Sequence, residues 1–165
     1  MKFSIFYFLI ETCGLTQSPK TQCRIPSLIR TSSVTHKAAF LRGLADTDFS
    51  LVFKKNGRYP VIDFCTCSKA LLEDVVEMLL SLGFKGHSGI YRTNRKGTPI
   101  TRHYLQLNGR MNLEKWMTVI GFTSPIQLFK YGEWIKSGYS SKKNKNPAGL
   151  SRPDLRPQPD SNWRP

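Results

Sequence analysis

Apolar positions change period several times along the chain, and each change marks an element. Across residues 34–47, Ala38, Ala39, Leu41, Leu44 and Ala45 recur at helical spacing with small side chains, which predicts a slim helix. LVFKK and YPVIDFCTC follow, rich in β-branched and aromatic residues, on either side of Asn56-Gly57, a strong hairpin signal. Ser68 is placed to cap SKALLEDVVEMLLSLGF, in which Leu72, Val75, Val76, Leu79 and Leu82 form one apolar face. Glu73, Asp74 and Glu77 fall on the side expected to be wet, and Gly83 ends the helix. GIYRTNR and ITRHYLQLN repeat the strand signal around Lys96-Gly97. Asn112 is the expected cap of NLEKWMTVIGF, where Leu113, Trp116, Met117 and Ile120 share a face. Ser124-Pro125 opens a last helix through QLFKYGEWI, with proline in the first turn, where its missing N–H costs nothing.

The order is αββαββα, an α+β fold class. Two hairpins combine into one four-stranded antiparallel, saddle-shaped sheet, with the amphipathic helices on a single face. The pattern divides the chain into a lead-in of undetermined order (1–33), a folded domain (34–138) and a basic Pro/Ser-rich tail (139–165). That tail has no apolar period and is expected to be disordered. The opening MKFSIFYFLIETCGL imitates a signal peptide, but its apolar run is short, lacks a clean cleavage site and could not span a bilayer. No membrane partner is expected.

Charge sharpens the functional question. A formal net charge of +14 and a pI near 9.9 point to a polyanionic partner. The excess is not confined to the ends: residues 40–135 hold thirteen Lys/Arg against eight acids. Strand stretches are nearly free of acids, so the uncovered face of the sheet is expected to be the basic one, shaped for the major groove of a duplex. Cys65 and Cys67 lack a second ligand pair for zinc, and strand alternation sends them to opposite faces. They read as reduced thiols of a cytoplasmic, nucleoid-associated protein. His36, His87 and His103 form no ligand spacing or triad and are expected at the surface or in strand packing.

Leu41-Arg42-Gly43-Leu44-Ala45-Asp46-Thr47-Asp48-Phe49 resembles the LAGLIDADG signature of homing endonucleases, matching its letters at Leu41, Gly43, Leu44, Asp46 and Asp48. A D-x-D at a helix end is ordinarily a cap or a turn. The surrounding chain carries the likeness further. YPVIDFCTCSKALLEDVVEMLLSLGF resembles the family's second strand and central helix, and NLEKWMTVIGFTSPIQLFKYGEW its closing helices. The likeness runs from about residue 40 to 138 and looks like the C-terminal repeat of a two-repeat member.

That resemblance implies binding of double-stranded DNA and site-specific, metal-dependent phosphodiester cleavage, the activity used in intron or intein homing. It makes the chain a probable hydrolase, with Asp48 as the catalytic and metal-binding carboxylate and Mg²⁺ as the cofactor. Asp46 takes the position usually read as structural. The motif helix bearing Leu41, Gly43, Leu44 and Asp46 packs against its own kind in the family, where small residues such as Gly43 and Ala45 permit close approach. One motif alone implies a homodimer. Expected DNA contacts are Lys54, Lys55, Arg58, Arg92, Arg95, Lys96 and Arg102, of which strand alternation lets roughly half face the groove. Phe49 departs from the pattern, standing where the family has glycine, and its ring is expected to crowd the turn beside Asp48. The alternative is a catalytically degenerate half-enzyme, serving as a DNA-binding module or an RNA maturase-like factor.

Overall fold

A computed structural model describes residues 19–95, 97–138 and 162–163. A short helix α1 (Ser27–Arg30) precedes the expected series. That series runs α2 (Val34–Asp48), β1 (Phe49–Lys54), β2 (Tyr59–Thr66), α3 (Lys69–Ser81), β3 (Gly86–Arg95), β4 (Thr98–Asn108), α4 (Arg110–Val119) and α5 (Pro125–Ser137). A two-residue strand β5 (Asn162–Trp163) completes it.

All pairings are antiparallel, in the order β1-β2-β4-β3-β5. The hairpins therefore meet along β2 and β4, with β1 and β3 outermost of the four main strands. Alternation assigns the faces. Phe49, Leu51, Ile62, Phe64, Leu105 and Leu107 point toward the helices and join the buried core. Trp116 of α4 sits at its centre, with Phe49, Phe84 and Phe122 rings 5.3–5.9 Å away. The opposite face bears Ser50, Lys54, Asp63, Cys65, Gln106, Tyr104 and Arg102, and among the described residues no helix joins it to the core cluster, although Val61 and Tyr104 on it are buried.

Local chemistry sets the ends. Ser68 Oγ accepts from Leu71 N and caps α3 as anticipated. The β1–β2 turn places Lys55 and Asn56 at positive φ and delivers Gly57 at φ 90°, a twist matched to the flanking strands. α4 differs from expectation. It begins at Arg110, because Gly109 at φ 90° lets the chain turn directly from β4 into the helix. Asn112 is consequently inside the first turn, where its Nδ2 lies 2.9 Å from both Lys85 O and Asn108 O.

Asp74 is also corrected: it is not on a wet face but 1% exposed. Its carboxylate accepts from Arg24 Nη2 (2.8 Å), Arg24 Nε (3.2 Å) and the Ile25 amide (2.9 Å). A second cation, Arg30, lies 3.8 Å away. This anchor presses Ile25 into the core beside α3, so this part of the lead-in packs with the domain. The periodicity of α3 could not reveal it, because the covering residues are 49 to 50 positions away. His103 is packed as expected, and burial, aided by the Lys69 charge, pushes its pKa down. β5 pairs Gly86 with Trp163 and His87 with Asn162, adding a strand pair that the composition of the tail did not suggest. The apolar start and residues 139–161 lie outside the described residues.

Candidate nucleic-acid interface and carboxylate site

Two carboxylates close α2, and the fold treats them differently. Asp46 is engaged by the protein. Its Oδ1 accepts from the amides of Thr123 and Ser124, each at 2.9 Å, and its Oδ2 from the Thr123 hydroxyl. Burial pushes this carboxyl up, but the Thr123 hydroxyl, the two amides and the Arg42 charge together hold it below the ordinary carboxylate range. Ser124, the N-cap of α5, makes no side-chain cap bond of its own. Asp46 thus supplies an acceptor and a negative charge at the start of that helix, from 78 residues upstream.

Asp48 is left to solvent. It is exposed at the point where α2 passes into β1, and Thr47 Oγ1 lies 3.0 Å from its Oδ2 and 3.1 Å from Leu44 O. Its position is fixed indirectly. β1 is an outer strand whose free edge would carry unpaired backbone groups. α5 covers that edge: Gln127 Oε1 accepts from Leu51 N (3.0 Å), its Nε2 donates to Phe49 O (3.4 Å), and Lys130 Nζ donates to Leu51 O (3.2 Å). Gln127, Lys130, Thr123 and Ser124 all help place the chain around Asp48, and none was legible from the sequence. Their only signal there is a polar residue, Gln127, on the otherwise inward face of a helix.

The rest of α2 divides cleanly. Leu41 and Ala45 are fully buried in the protomer's own core, so Ala45 is not an approach point for another copy. Ala39, Gly43 and Thr47 are exposed at four-residue intervals, with Phe40 and Leu44 half-buried beside them. A Cβ added at Gly43 would meet nothing within 4 Å. The open stripe is therefore small, smooth and uncommitted within the protomer.

On the face of the sheet opposite the core, Lys54 is exposed and donates to Gln106 Oε1 at 3.1 Å. Arg102 is half-buried beside Cys65 and Tyr91, whose sulfur and hydroxyl lie 3.1 Å apart. The Cys65 sulfur raises the Arg102 guanidinium above its usual range, against the opposing effect of burial. Burial first, then the Cys65 bond, pushes the Tyr91 phenol well above its ordinary value. Lys55 and Arg58 are exposed in the β1–β2 turn, at the rim. Arg92 pairs with Thr101 and by alternation belongs to the other face. Arg95 pairs with Thr98 through its backbone, and Lys96 lies outside the described residues. The open face is thus less uniformly basic than the strand composition suggested, and it includes one acid, Asp63.

A family model for the LAGLIDADG-like domain matches residues 35–121, more than half the chain. The chain belongs to that family. Comparison with curated proteins yields no match. The matched stretch runs from the first turn of α2 to the end of α4, and α5 lies beyond it.

With membership in the LAGLIDADG family, the homing-endonuclease family, the motif letters acquire places. The second position, Arg42, projects its Nε to Ile120 O near the end of α4, where a cation meets the exposed carbonyls of a helix C-terminus. The ninth position corrects an expectation. Phe49 does not crowd Asp48: its backbone is extended, at φ −91° and ψ 158°, and its ring is turned into the core, 3% exposed. It stacks on Phe64 with ring centroids 4.6 Å apart. No glycine conformation is required there. No helix among the described residues is long and apolar enough to cross a membrane.

Proposed function

We propose that two copies of this LAGLIDADG domain pair through the Ala39–Gly43–Thr47 stripe of α2 and cut double-stranded DNA site-specifically, each copy supplying Asp48. The observation that carries this reading is the contrast between the two acids. Asp46 has its oxygens taken up by Thr123 and Ser124, while Asp48 stands exposed at the tip of the helix.

The donor set suits Mg²⁺. Among the described residues no cluster of three His, Cys, Asp or Glu could cage a metal alone. Mg²⁺ is ordinarily held by one or two carboxylates together with substrate phosphate and retained waters, which one Asp48 per protomer can provide. When bound, the ion would supply an activated water and stabilise the departing oxygen. The protein's own part is positional. Asp46 and Gln127 fix the two ends of the α2–β1 junction, and Lys54, Lys55, Arg58 and Arg102 offer cations to the duplex. A cytoplasmic, nucleoid-associated setting fits such a substrate.

Asp48→Asn tests the reading. Nicking and double-strand cleavage of target-bearing plasmid should disappear, while DNA affinity stays level or rises, since a negative charge beside phosphate is removed. Parallel loss of affinity and cleavage would make Asp48 structural.

A further inference from the structure

Cys65 and Cys67 have no part in the proposed cleavage, and the fold brings them together. Side chains two apart along an extended strand return to one face, so the expected separation of these thiols to opposite faces does not hold. Cys65 stands on the face opposite the core, paired with Tyr104, and Cys67 lies one residue past the end of β2. Both are free and half-buried. Continuing the β2–β4 register sets Cys67 opposite Arg102, which pairs with Tyr91 on β3. Two thiols, a guanidinium and a phenol thus gather on three neighbouring strands.

Their contacts suit a reactive sulfur. Tyr91 Oη lies 3.1 Å from Cys65 Sγ. Burial holds that phenol in its protonated form well above the ordinary range, so its hydroxyl is a donor available to an anionic sulfur. The Arg102 guanidinium hydrogen-bonds Cys65 and also feels the charge of Cys67. Thiols react as their anions, which neighbouring cations stabilise. Cα atoms two residues apart on a strand are separated by about 6.6 Å, within the span a disulfide bridges.

We infer that Cys65 and Cys67 form a peroxide-sensitive dithiol, in which a hydroperoxide oxidises Cys65 and Cys67 closes the disulfide. The Cys65 sulfur attacks the terminal oxygen of the peroxide. An S–O bond forms, the O–O bond breaks, and the departing alkoxide or hydroxide takes a proton from water. Sulfur is oxidised by two electrons and the peroxide is reduced by two. Cys67 then attacks the sulfenic sulfur, S–S replaces S–O, and the oxygen leaves as water with the Cys67 proton. A thiol reductant restores both cysteines by exchange. Nothing in this chemistry depends on duplex binding.

The test treats the full-length chain with hydrogen peroxide, alkylates the remaining thiols at timed intervals, and follows each cysteine by fragmentation mass spectrometry. Cys23 is the internal reference, being free and half-buried with its sulfur toward Pro19 O. Cys65 should be lost roughly tenfold faster than Cys23 or more, giving a Cys65–Cys67 disulfide that dithiothreitol reverses. In Cys67→Ser, Cys65 should stop at the sulfenic acid and be captured by dimedone. Arg102→Met should slow the loss of Cys65 by roughly tenfold, and Tyr91→Phe by less. Circular dichroism of each variant should match the wild type. If Arg102→Met does not fold, the wild-type rates and Cys67→Ser carry the test. Equal loss of Cys65 and Cys23 overturns the inference, as does a disulfide from Cys65 to Cys13 or Cys23 in place of Cys67. An unchanged rate in a folded Arg102→Met overturns it too.

Discussion

Restoring the motif's ninth letter, Phe49→Gly, should damage this protein. The ring is 3% exposed, stacks on Phe64 and lies 5.3 Å from Trp116, the largest fully buried side chain. Deleting a buried phenylalanine side chain costs about 3–5 kcal/mol, combining lost transfer energy with the cavity left behind. Glycine within a strand adds roughly 0.5–1 kcal/mol of backbone entropy. Against a total stability of about 5–15 kcal/mol, this removes a large share. With a urea m-value near ~2 kcal/mol per molar, the unfolding midpoint should fall by about 2 M. Phe49→Leu keeps most of the volume and should cost about 1.5 kcal/mol or less. The assay is urea unfolding followed by tryptophan fluorescence, which Trp116 reports directly, with plasmid cleavage run in parallel. Should Phe49→Gly hold its midpoint within about 0.5 M of wild type and cleave faster, the ring would be an obstruction near Asp48 and its assignment to the core would be wrong.

Three further outcomes follow from the same geometry. Asp46→Ala should destabilise by about 1–2 kcal/mol, as loss of a helix cap does, while Asp46→Asn, which keeps an acceptor oxygen, should reduce cleavage less than Asp48→Asn; the opposite ranking in cleavage assays would reverse the two roles. Asp46 has a depressed carboxyl pKa when folded, so its stabilisation is present above the unfolded value near ~3.9 and is lost as pH falls through the folded one. Urea midpoints measured from pH 7 to pH 2 should therefore decline less steeply in Asp46→Asn than in wild type at the acid end, and parallel curves would contradict this. Gly43→Leu meets no atom of its own protomer and gains about 0.8 kcal/mol of helix propensity, so its circular dichroism should be retained while sedimentation shows monomer and DNA binding loses its steep salt dependence. A Gly43→Leu chain that is dimeric would displace the contact from this stripe.

The sequence by itself determined the series of elements, because each depends on near neighbours. The small-residue helix ending at Asp48, the Asn56-Gly57 hairpin and the Ser68 cap all follow from spacing within about ten residues. The motif letters identified which helix end matters. What the letters could not tell is what each acid touches. Asp46 and Asp48 are two residues apart and chemically identical, yet one faces the amides at the start of α5 and the other faces water. The same holds for Asp74, polar in pattern but buried under Arg24 and Ile25, and for Phe49, whose extended backbone sends its ring inward. Gln127 bonds a strand edge 76 residues away, and Lys54, Gln106 and Asp63 meet across three strands. Periodicity reports which side of an element is apolar. Only the packing of distant elements decides whether a polar group on the other side meets solvent, a backbone amide or another charge, since burial and hydrogen bonding are properties of the assembled neighbours.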